Sequence, residues 1–316
     1  MSAAAVRALR RVGFVGANGL MGHGMAKNLQ KKGFPTTLLS RASPGWAARV
    51  ADLRAAGASE VSSGEALAAG ADVVLLCVTG SAAVDEVLFG ARGVAAGARR
   101  GLIVVDSSTS DAAASARARA ELARIGVTFV DAPLTRTPAA AEAGTANTMV
   151  GADAATFAAL QPMFAAYCEH IVHAGPPGSG LVLKLINNMV GQAITTATAE
   201  GLAVAAKSGL DLHALHKLMS LGSVNNLMFQ FMLGTMLEGG PGRLDGLKFS
   251  LSNASKDLRA YTAMAADLGV AAPVGAAVHQ ALVQANALGL GNKFIASLIT
   301  AQEKLAGVTI VPKDGK

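Results

Sequence analysis

The sequence predicts an α/β domain built on a doubly wound, mostly parallel sheet, followed by an all-α domain. Three observations carry this expectation. From Arg11 to about Ala174, short runs of Val, Ile and Leu alternate with Ala-rich amphipathic stretches, the order that lays helices on both faces of a sheet. After Gly178 the strand-like runs stop, and only helical periodicities remain as far as Ala306. A glycine-rich turn separates the first apolar run from the first helical stretch.

Taken in order, strands are expected over residues 11–15, 36–40, 72–78, 102–106, 128–131, 148–150 and 171–173. Helices are expected over 21–32, 45–56, 81–89, 111–124 and 154–167. Beyond Gly178, breaks at Gly209, Gly222, Gly239-Gly240-Pro241-Gly242, Pro273 and residues 289–291 divide the chain into further helices. The Pro/Gly-rich turn over 175–178 runs into a long helix begun near Gly180 that joins the two halves. Domain limits of 1–178 and 179–316 follow, with a substrate site expected where the domains meet and subunit contacts on the helical part.

Composition excludes several classes. A chain of 316 residues is long enough for two cores, and 52% hydrophobic against 15% charged residues is the balance of a globular protein rather than a disordered one. The mean hydropathy of +0.42 raises the question of a membrane span. Lys, Asn, Arg or Gly cut each apolar stretch before the roughly 20 residues a spanning helix needs. The N-terminal arginines are followed by no apolar segment, so a cytoplasmic protein is expected. Cys77 and Cys168 lie far apart in apolar contexts without a Cys-x-x-Cys spacing, which suits core thiols rather than a disulfide or zinc site. The net charge of +6 is spread along the chain, and two Tyr and one Trp offer little for base stacking, so an anionic cofactor and substrate explain the sign better than nucleic acid. His213 and His216 share a helix face without a third ligand and are expected to be exposed. Met219, Met228, Met232 and Met236 fall near helical spacing, as core or subunit packing would.

The chemistry-bearing stretches begin with Gly16-x-x-Gly19-x-x-Gly22, between the first strand and the first helix. Glycines there let the backbone approach a pyrophosphate whose charge the helix N-terminus stabilises, as in a Rossmann-type domain. Gly16, Asn18, Gly19, Leu20 and Met21 are the candidate contacts, although the loop is one residue longer than G-x-G-x-x-G and an ordinary tight turn reads the same way. The second strand ends at Ser40-Arg41, where an acid would bind a ribose hydroxyl; an arginine instead favours the 2′-phosphate of NADP over NAD, unless it is simply a solvated loop residue. In GPPGSGLVLKLINN, Lys184, Asn187 and Asn188 sit at i, i+3 and i+4, on one face of a helix among Leu, Val and Ile. A lysine reaching solvent from a helix start is the plain alternative.

These stretches together resemble the 3-hydroxyacid (β-hydroxyacid) dehydrogenases, the group of 3-hydroxyisobutyrate dehydrogenase and 2-hydroxy-3-oxopropionate reductase. GFVGANGLMGHGMAKNL looks like the cofactor motif of that family, and DVVLLCVTGSAAVDEVLFG and VVDSSTS like its later strand ends. DAPLTRTPAAAEAGTANTMVGA resembles its substrate segment, GSGLVLKLINN its catalytic segment and SKDLRAYTAMAADLGVAAP a C-terminal cofactor segment, in order along almost the whole chain. The resemblance implies that Lys184 is the catalytic lysine, that Asn187 and Asn188 orient the substrate, that Val78, Thr79 and Thr109 line the nicotinamide ribose, and that Lys256 closes over the cofactor beside Asp257. Hydride transfer to a carbonyl generates an alkoxide that needs a proton, and a positioned lysine can donate it in reduction and accept it in oxidation.

The chain departs from the family pattern in two places. Where relatives usually read DAPVSGG, this chain has Asp131-Ala-Pro-Leu-Thr135-Arg136-Thr137-Pro138. Thr135 keeps a hydroxyl, while Arg136 and Thr137 replace both glycines. A guanidinium offers bidentate binding of a carboxylate or sulfonate, so Thr135, Arg136 and Thr137 are expected to hold a small anionic substrate. The plain alternative is that Arg136 turns outward to solvent. Near the C-terminus, Phe294 and Ala296 stand where an aspartate and a serine are common, which predicts a more apolar substrate wall.

The expected protein is an NAD(P)-dependent oxidoreductase that interconverts a short 3-hydroxyacid and its semialdehyde, with Lys184 as general acid/base. Two alternatives remain: a sulfolactaldehyde-type reductase whose Arg136 binds the sulfonate, and a cofactor-binding scaffold without catalysis, against which the presence of Lys184 argues. A decarboxylating phosphogluconate-type reaction fits less well, since no further phosphate-binding basic set is evident. The long apolar helices predict a homodimer or homotetramer.

Overall fold

A computed structural model describes residues 11–42, 44–239 and 242–311. Residues 1–10, on which the expectation of a cytoplasmic protein draws, and Gly240 and Pro241 of one expected break, lie outside them. Contacts divide the chain into two compact units, the first ending at Lys184 and the second beginning at Leu185.

Among the described residues the first unit carries a nine-stranded sheet. Its strands are β1 (Val12–Val15), β2 (Thr36–Leu39), β3 (Ser59–Val61), β4 (Val73–Leu76), β5 (Ile103–Asp106), β6 (Thr128–Asp131), β7 (Leu134–Thr135), β8 (Ala146–Gly151) and β9 (Cys168–Gly175). The order is β3-β2-β1-β4-β5-β6-β8-β7, with β9 on β8. β3 through β6 pair in parallel, β8 runs antiparallel to β6 and β7, and β9 is parallel to β8. Strands β1, β4 and β5 are buried throughout, because helices cover both faces. Alternate residues feed two separate cores: Phe14, Leu75 and Val105 join Met25, Leu29 and Phe164 on one face, and Val15, Val74 and Val104 join Leu67 and Leu122 on the other.

The helices of this unit are α1 (Gly22–Lys31), α2 (Trp46–Arg49), α3 (Ala51–Ala55), α4 (Gly64–Gly70), α5 (Ser81–Phe89), α6 (Val94–Gly97), α7 (Ala112–Arg124), α8 (Pro138–Ala143) and α9 (Ala154–Phe164). The expected single helix over 45–56 is broken at Val50, whose non-helical backbone accompanies complete burial of its side chain in the core. β3 escapes the sequence pattern because Ser-Glu-Val at a sheet edge is only partly buried. α4, α6, α8 and the two-residue β7 are likewise additions to the expected elements.

The long helix α10 (Ser179–Lys207) starts where expected. The later helices are α11 (Leu212–Leu221), α12 (Leu227–Phe229), α13 (Thr235–Glu238), α14 (Leu251–Asp267), α15 (Pro273–Ala285) and α16 (Leu298–Ala306). π-helical turns lie at Gln230–Gly234 and Asn286–Leu290. Among the described residues no strand follows β9, only an isolated bridge between Ser250 and Phe294. The core of the second unit gathers Leu202, Phe229, Leu251, Leu258, Leu282 and Ile299, together with the anticipated Met232 and Met236. Ala296, one of the two residues expected to make a substrate wall more apolar, is 2% exposed and packs within that core. His216 is half-buried rather than exposed, hydrogen-bonded to Gln230 at 2.8 Å and stacked on Phe229. Cys77 and Cys168 are free thiols, and among the described residues no helix is long and apolar enough to cross a membrane.

Candidate functional site

The strand order reverses direction between β1 and β4, and the crevice beyond the carboxyl ends of two such strands is where an open α/β sheet binds its ligand. The glycine turn sits at that point. Gly16 adopts φ +93°, and a Cβ there would lie 2.1 Å from the carbonyl oxygen of Cys77 at the end of β4. A Cβ on Gly22 would lie 2.2 Å from the Gly16 carbonyl oxygen, so the turn closes on itself without room for side chains. The Gly19 amide donates to Gly16 O at 3.0 Å, which folds Asn18, Gly19 and Leu20 across the mouth of the turn. α1 then begins with no side-chain cap and no acid in its first turn. An uncapped helix start above a glycine turn suits a pyrophosphate, and Leu20 and Met21 flank it.

At the end of β2, Ser40 is half-buried and donates its hydroxyl to Val61 O at 3.0 Å, while Arg41 beside it is exposed. At the ends of β4 and β5, the Val78 amide donates to Ser108 Oγ at 3.0 Å, and Thr79 is exposed. Within residues 106–110 only Thr109 escapes burial. Asp106 is buried at the end of β5 and accepts from the Ser108 amide at 2.9 Å. Burial pushes its carboxyl up to about 6, against the bonds from Ser108 and with a further push from Asp131 on the adjacent strand.

The substrate segment leaves β6 at Asp131, passes through β7 and turns at Arg136, whose φ of 75° is the left-handed conformation that favours glycine. The backbone thus keeps a glycine shape after the glycine has been replaced. The Arg136 guanidinium pairs with Glu169 and donates to Thr145 O at 2.8 Å, both through Nη1. The Thr137 hydroxyl caps α8, accepting from the Ala140 amide at 3.3 Å, with Pro138 following it. α8 docks against α1. A Cβ on Gly24 would lie 2.4 Å from the carbonyl carbon of Ala141, and the amide of Asn28 donates to the carbonyls of Gly24, Ala141 and Glu142. His23, inside the cofactor motif, bonds Glu142 at 2.5 Å and Asp52 at 3.0 Å. Burial disfavours its charged form, yet those two bonds prevail and raise its pKa.

Asp131 is 3% exposed. Its carboxylate accepts from the Gly178 amide at 2.6 Å and from the Leu181 amide at 2.8 Å, the opening amides of α10. Lys184 follows on that helix and is half-buried. Asn187 and Asn188 lie at the expected i+3 and i+4 positions of the same helix.

In the second unit Asn188 is buried and donates to Asp257 Oδ2 at 2.6 Å. The Asn187 amide donates to Asn188 Oδ1 at 3.2 Å. Asp257, 2% exposed, receives Lys256 Nζ on its other oxygen at 2.6 Å. The predicted residues Asn187, Asn188 and Lys256 are therefore linked through one buried carboxylate, which the sequence marked only as the neighbour of Lys256.

Comparison with known proteins agrees with this geometry. The NAD binding domain of 6-phosphogluconate dehydrogenase matches residues 11–175, and the NAD-binding domain of NADP-dependent 3-hydroxyisobutyrate dehydrogenase matches residues 178–301. The chain is 28% identical to 2-(hydroxymethyl)glutarate dehydrogenase of Eubacterium barkeri, over 95% of this chain and 97% of that protein. It is 30% identical to glyoxylate/succinic semialdehyde reductase 1 of Arabidopsis thaliana, over 92% and 97% respectively. The structure of 3-hydroxyisobutyrate dehydrogenase from Mycobacterium tuberculosis, solved with L-serine, is 26% identical and matches with a TM-score of 0.80 over 92% of this chain and 98% of that one. With a glycine turn shaped for a dinucleotide, a lysine-bearing helix at the predicted place and relatives that oxidise hydroxyacids or reduce their carbonyl partners, the chain is an NAD(P)-dependent oxidoreductase and belongs to the 3-hydroxyacid dehydrogenase family.

Proposed function

We propose that the protein interconverts a small 3-hydroxyacid and its semialdehyde, with Lys184 as general acid/base. The observation that carries the reading is the side-chain chain Asn187–Asn188–Asp257–Lys256, which fixes the amide of Asn188 on the helix that bears Lys184. An amide held at both ends cannot turn away from a substrate hydroxyl, and it adds no charge that would compete with the lysine. In this reading residues 1–178 form the dinucleotide-binding domain and 179–316 the helical domain for substrate and subunit contacts. Gly16, Asn18, Gly19, Leu20 and Met21 hold the pyrophosphate, Val78, Thr79 and Thr109 the nicotinamide ribose, and Lys256 a further cofactor contact. The exposed Arg41, next to a serine where an acid would favour NAD, supports NADP. When bound, the nicotinamide supplies or takes the hydride. Lys184 gives or takes the proton at the substrate oxygen, and Asn187 and Asn188 orient that oxygen.

The substrate carboxylate is assigned to residues 135–137 through backbone amides and the Thr135 hydroxyl. Arg136 supplies the turn, since its guanidinium is engaged by Glu169 and Thr145; this arrangement does not favour the sulfonate alternative. The relatives named above act, by their names, on a hydroxymethyl acid and on short aldehyde acids, which supports the same substrate class. Leu218, Leu221 and Leu227 lie exposed on the second unit and support a homo-oligomer.

The deciding experiment is a screen of purified protein against short 3-hydroxyacids and their semialdehydes, with NAD and NADP in parallel and Lys184→Ala beside the wild type. Turnover by the wild type and a loss of at least about a thousandfold in the variant are expected. Unchanged turnover in Lys184→Ala removes the mechanism.

A further inference from the structure

We propose that Asp131 is a positioning residue for the reaction: its carboxylate fastens the first turn of α10, and with it Lys184, to the strand end from which the substrate segment departs. The inference rests on the role given to Lys184 above and goes beyond it by assigning what holds that lysine.

The geometry has three parts. First, each carboxylate oxygen takes one backbone amide of the helix start, Gly178 at 2.6 Å and Leu181 at 2.8 Å. These are two of the four amides that a helix leaves without an internal partner, and here a side chain 47 and 50 residues away supplies what a local cap supplies elsewhere. Second, the carboxylate has no freedom to move. A Cβ on Gly151 would lie 2.6 Å from both of its oxygens, and a Cβ on Gly180 would lie 3.0 Å from Oδ2 and 2.4 Å from the carbonyl oxygen of Met149. Two glycines thus make the slot that lets helix and strand approach. Third, Asp131 ends β6, and residues 132–137 run directly from it to the turn assigned to the substrate carboxylate. One side chain therefore sets the distance between two parts of the site that meet the same small molecule, one gripping its anion and the other moving its proton. A displacement of roughly 1 Å between such parts costs on the order of a hundredfold in rate.

The carboxylate also acts through its charge. The start of a helix carries a partial positive charge that disfavours an ammonium nearby, and an anion capping it relieves that effect on Lys184 about one turn along. Charged groups that act on Asp131 from neighbouring elements include Asp106 on β5 and Arg119 on α7.

Asp131→Asn removes the charge and replaces one acceptor by a donor that opposes a backbone amide. In the full-length protein, kcat for aldehyde reduction is expected to fall roughly tenfold to a hundredfold, with KM and the NADPH dissociation constant changed less than about threefold. The alkaline limb of the pH–rate profile should move about one pH unit lower, because Lys184 loses its stabilising anion. Gly151→Ala displaces the carboxylate without removing it, and should lower kcat while leaving that limb in place. In the wild type, the amides of Gly178 and Leu181 should exchange with deuterium far more slowly than exposed amides, which tests the cap even if neither variant folds. Fast exchange at both overturns the proposal, as does Asp131→Asn with wild-type kcat and an unmoved limb while Lys184→Ala is inactive. Retained turnover in Lys184→Ala instead overturns the underlying mechanism.

Discussion

Replacing Gly24 by alanine sets two effects of known size against each other. Helix propensity alone favours the change, since alanine is better than glycine inside a helix by about 1 kcal/mol. The structure opposes it. The new methyl would lie 2.4 Å from the Ala141 carbonyl carbon and 2.5 Å from the Glu142 nitrogen, roughly 1 Å inside ordinary contact. Both are backbone atoms of α8 and cannot rotate away. Overpacking of this kind costs about 1–3 kcal/mol. Separating α1 from α8 also stretches the two bonds of the buried Asn28 amide that cross between them, to Ala141 O and Glu142 O, at about 1 kcal/mol for each one lost. The net expectation for Gly24→Ala is destabilisation by about 2–4 kcal/mol. Urea denaturation followed by circular dichroism measures it, and NADPH titration of the folded variant should show weaker binding, because α1 follows the glycine turn proposed to hold the pyrophosphate. A midpoint equal to or above that of the wild type would show that α1 and α8 are not docked through this glycine.

Two further outcomes follow from the same unit. His23 lies between Glu142 and Asp52, and its pKa is raised in the folded state. Its stabilising contribution, up to about 1 kcal/mol for partly exposed pairs, is therefore complete below the unfolded value near 6.5 and is lost as pH rises through the folded value. The stability gap between wild type and His23→Gln should accordingly narrow as pH rises above about 6.5, and denaturation at several pH values would expose a gap that stays constant. Arg136→Gly removes left-handed strain of about 1 kcal/mol and an ion pair with Glu169 that is worth at most about 1 kcal/mol, its partners being 38% and 46% exposed. Stability should stay within about 1 kcal/mol of wild type, and KM for the carboxylate substrate within about threefold; a rise of tenfold or more would make the guanidinium a substrate clamp after all.

What the sequence disclosed and what it hid follow one physical division. The glycine turn, the apolar strands and Lys184-x-x-Asn187-Asn188 were legible because each is a local pattern, a conformational need or a helical period written in adjacent residues. The short elements β3 and α6 were not, since neither buries enough apolar surface to leave a periodic trace. Arg136 was read as a side chain presented to substrate because the sequence showed a guanidinium replacing a glycine. The structure shows what the replacement kept, a positive φ, and where the guanidinium went, to Glu169 33 residues away. The buried acids were the least visible. Asp106 and Asp131 each end an apolar run and Asp257 follows polar residues, and the helix amides on Asp131 and the Asn188 amide on Asp257 cannot be inferred from their neighbours in the chain.

The segment between β6 and α8 shows why those distant partners matter. Residues 132–137 form a short connection with only the two residues of β7 in the sheet, too little to hold one conformation by ladder hydrogen bonds. Its ends are held instead. At one end Asp131 is locked into the start of α10 by two amides in a slot made by Gly151 and Gly180. At the other, Thr137 caps α8, which Gly24 and Asn28 bind to α1. A connection fixed at both ends loses little further entropy when an anion binds to it, so its preorganisation comes from its anchors rather than from its own sequence. That allows glycines to be exchanged for Arg136 and Thr137 while the backbone path is kept. It also places the constraint on Asp131, which holds the start of α10, and on Gly24, through which α1 docks on α8.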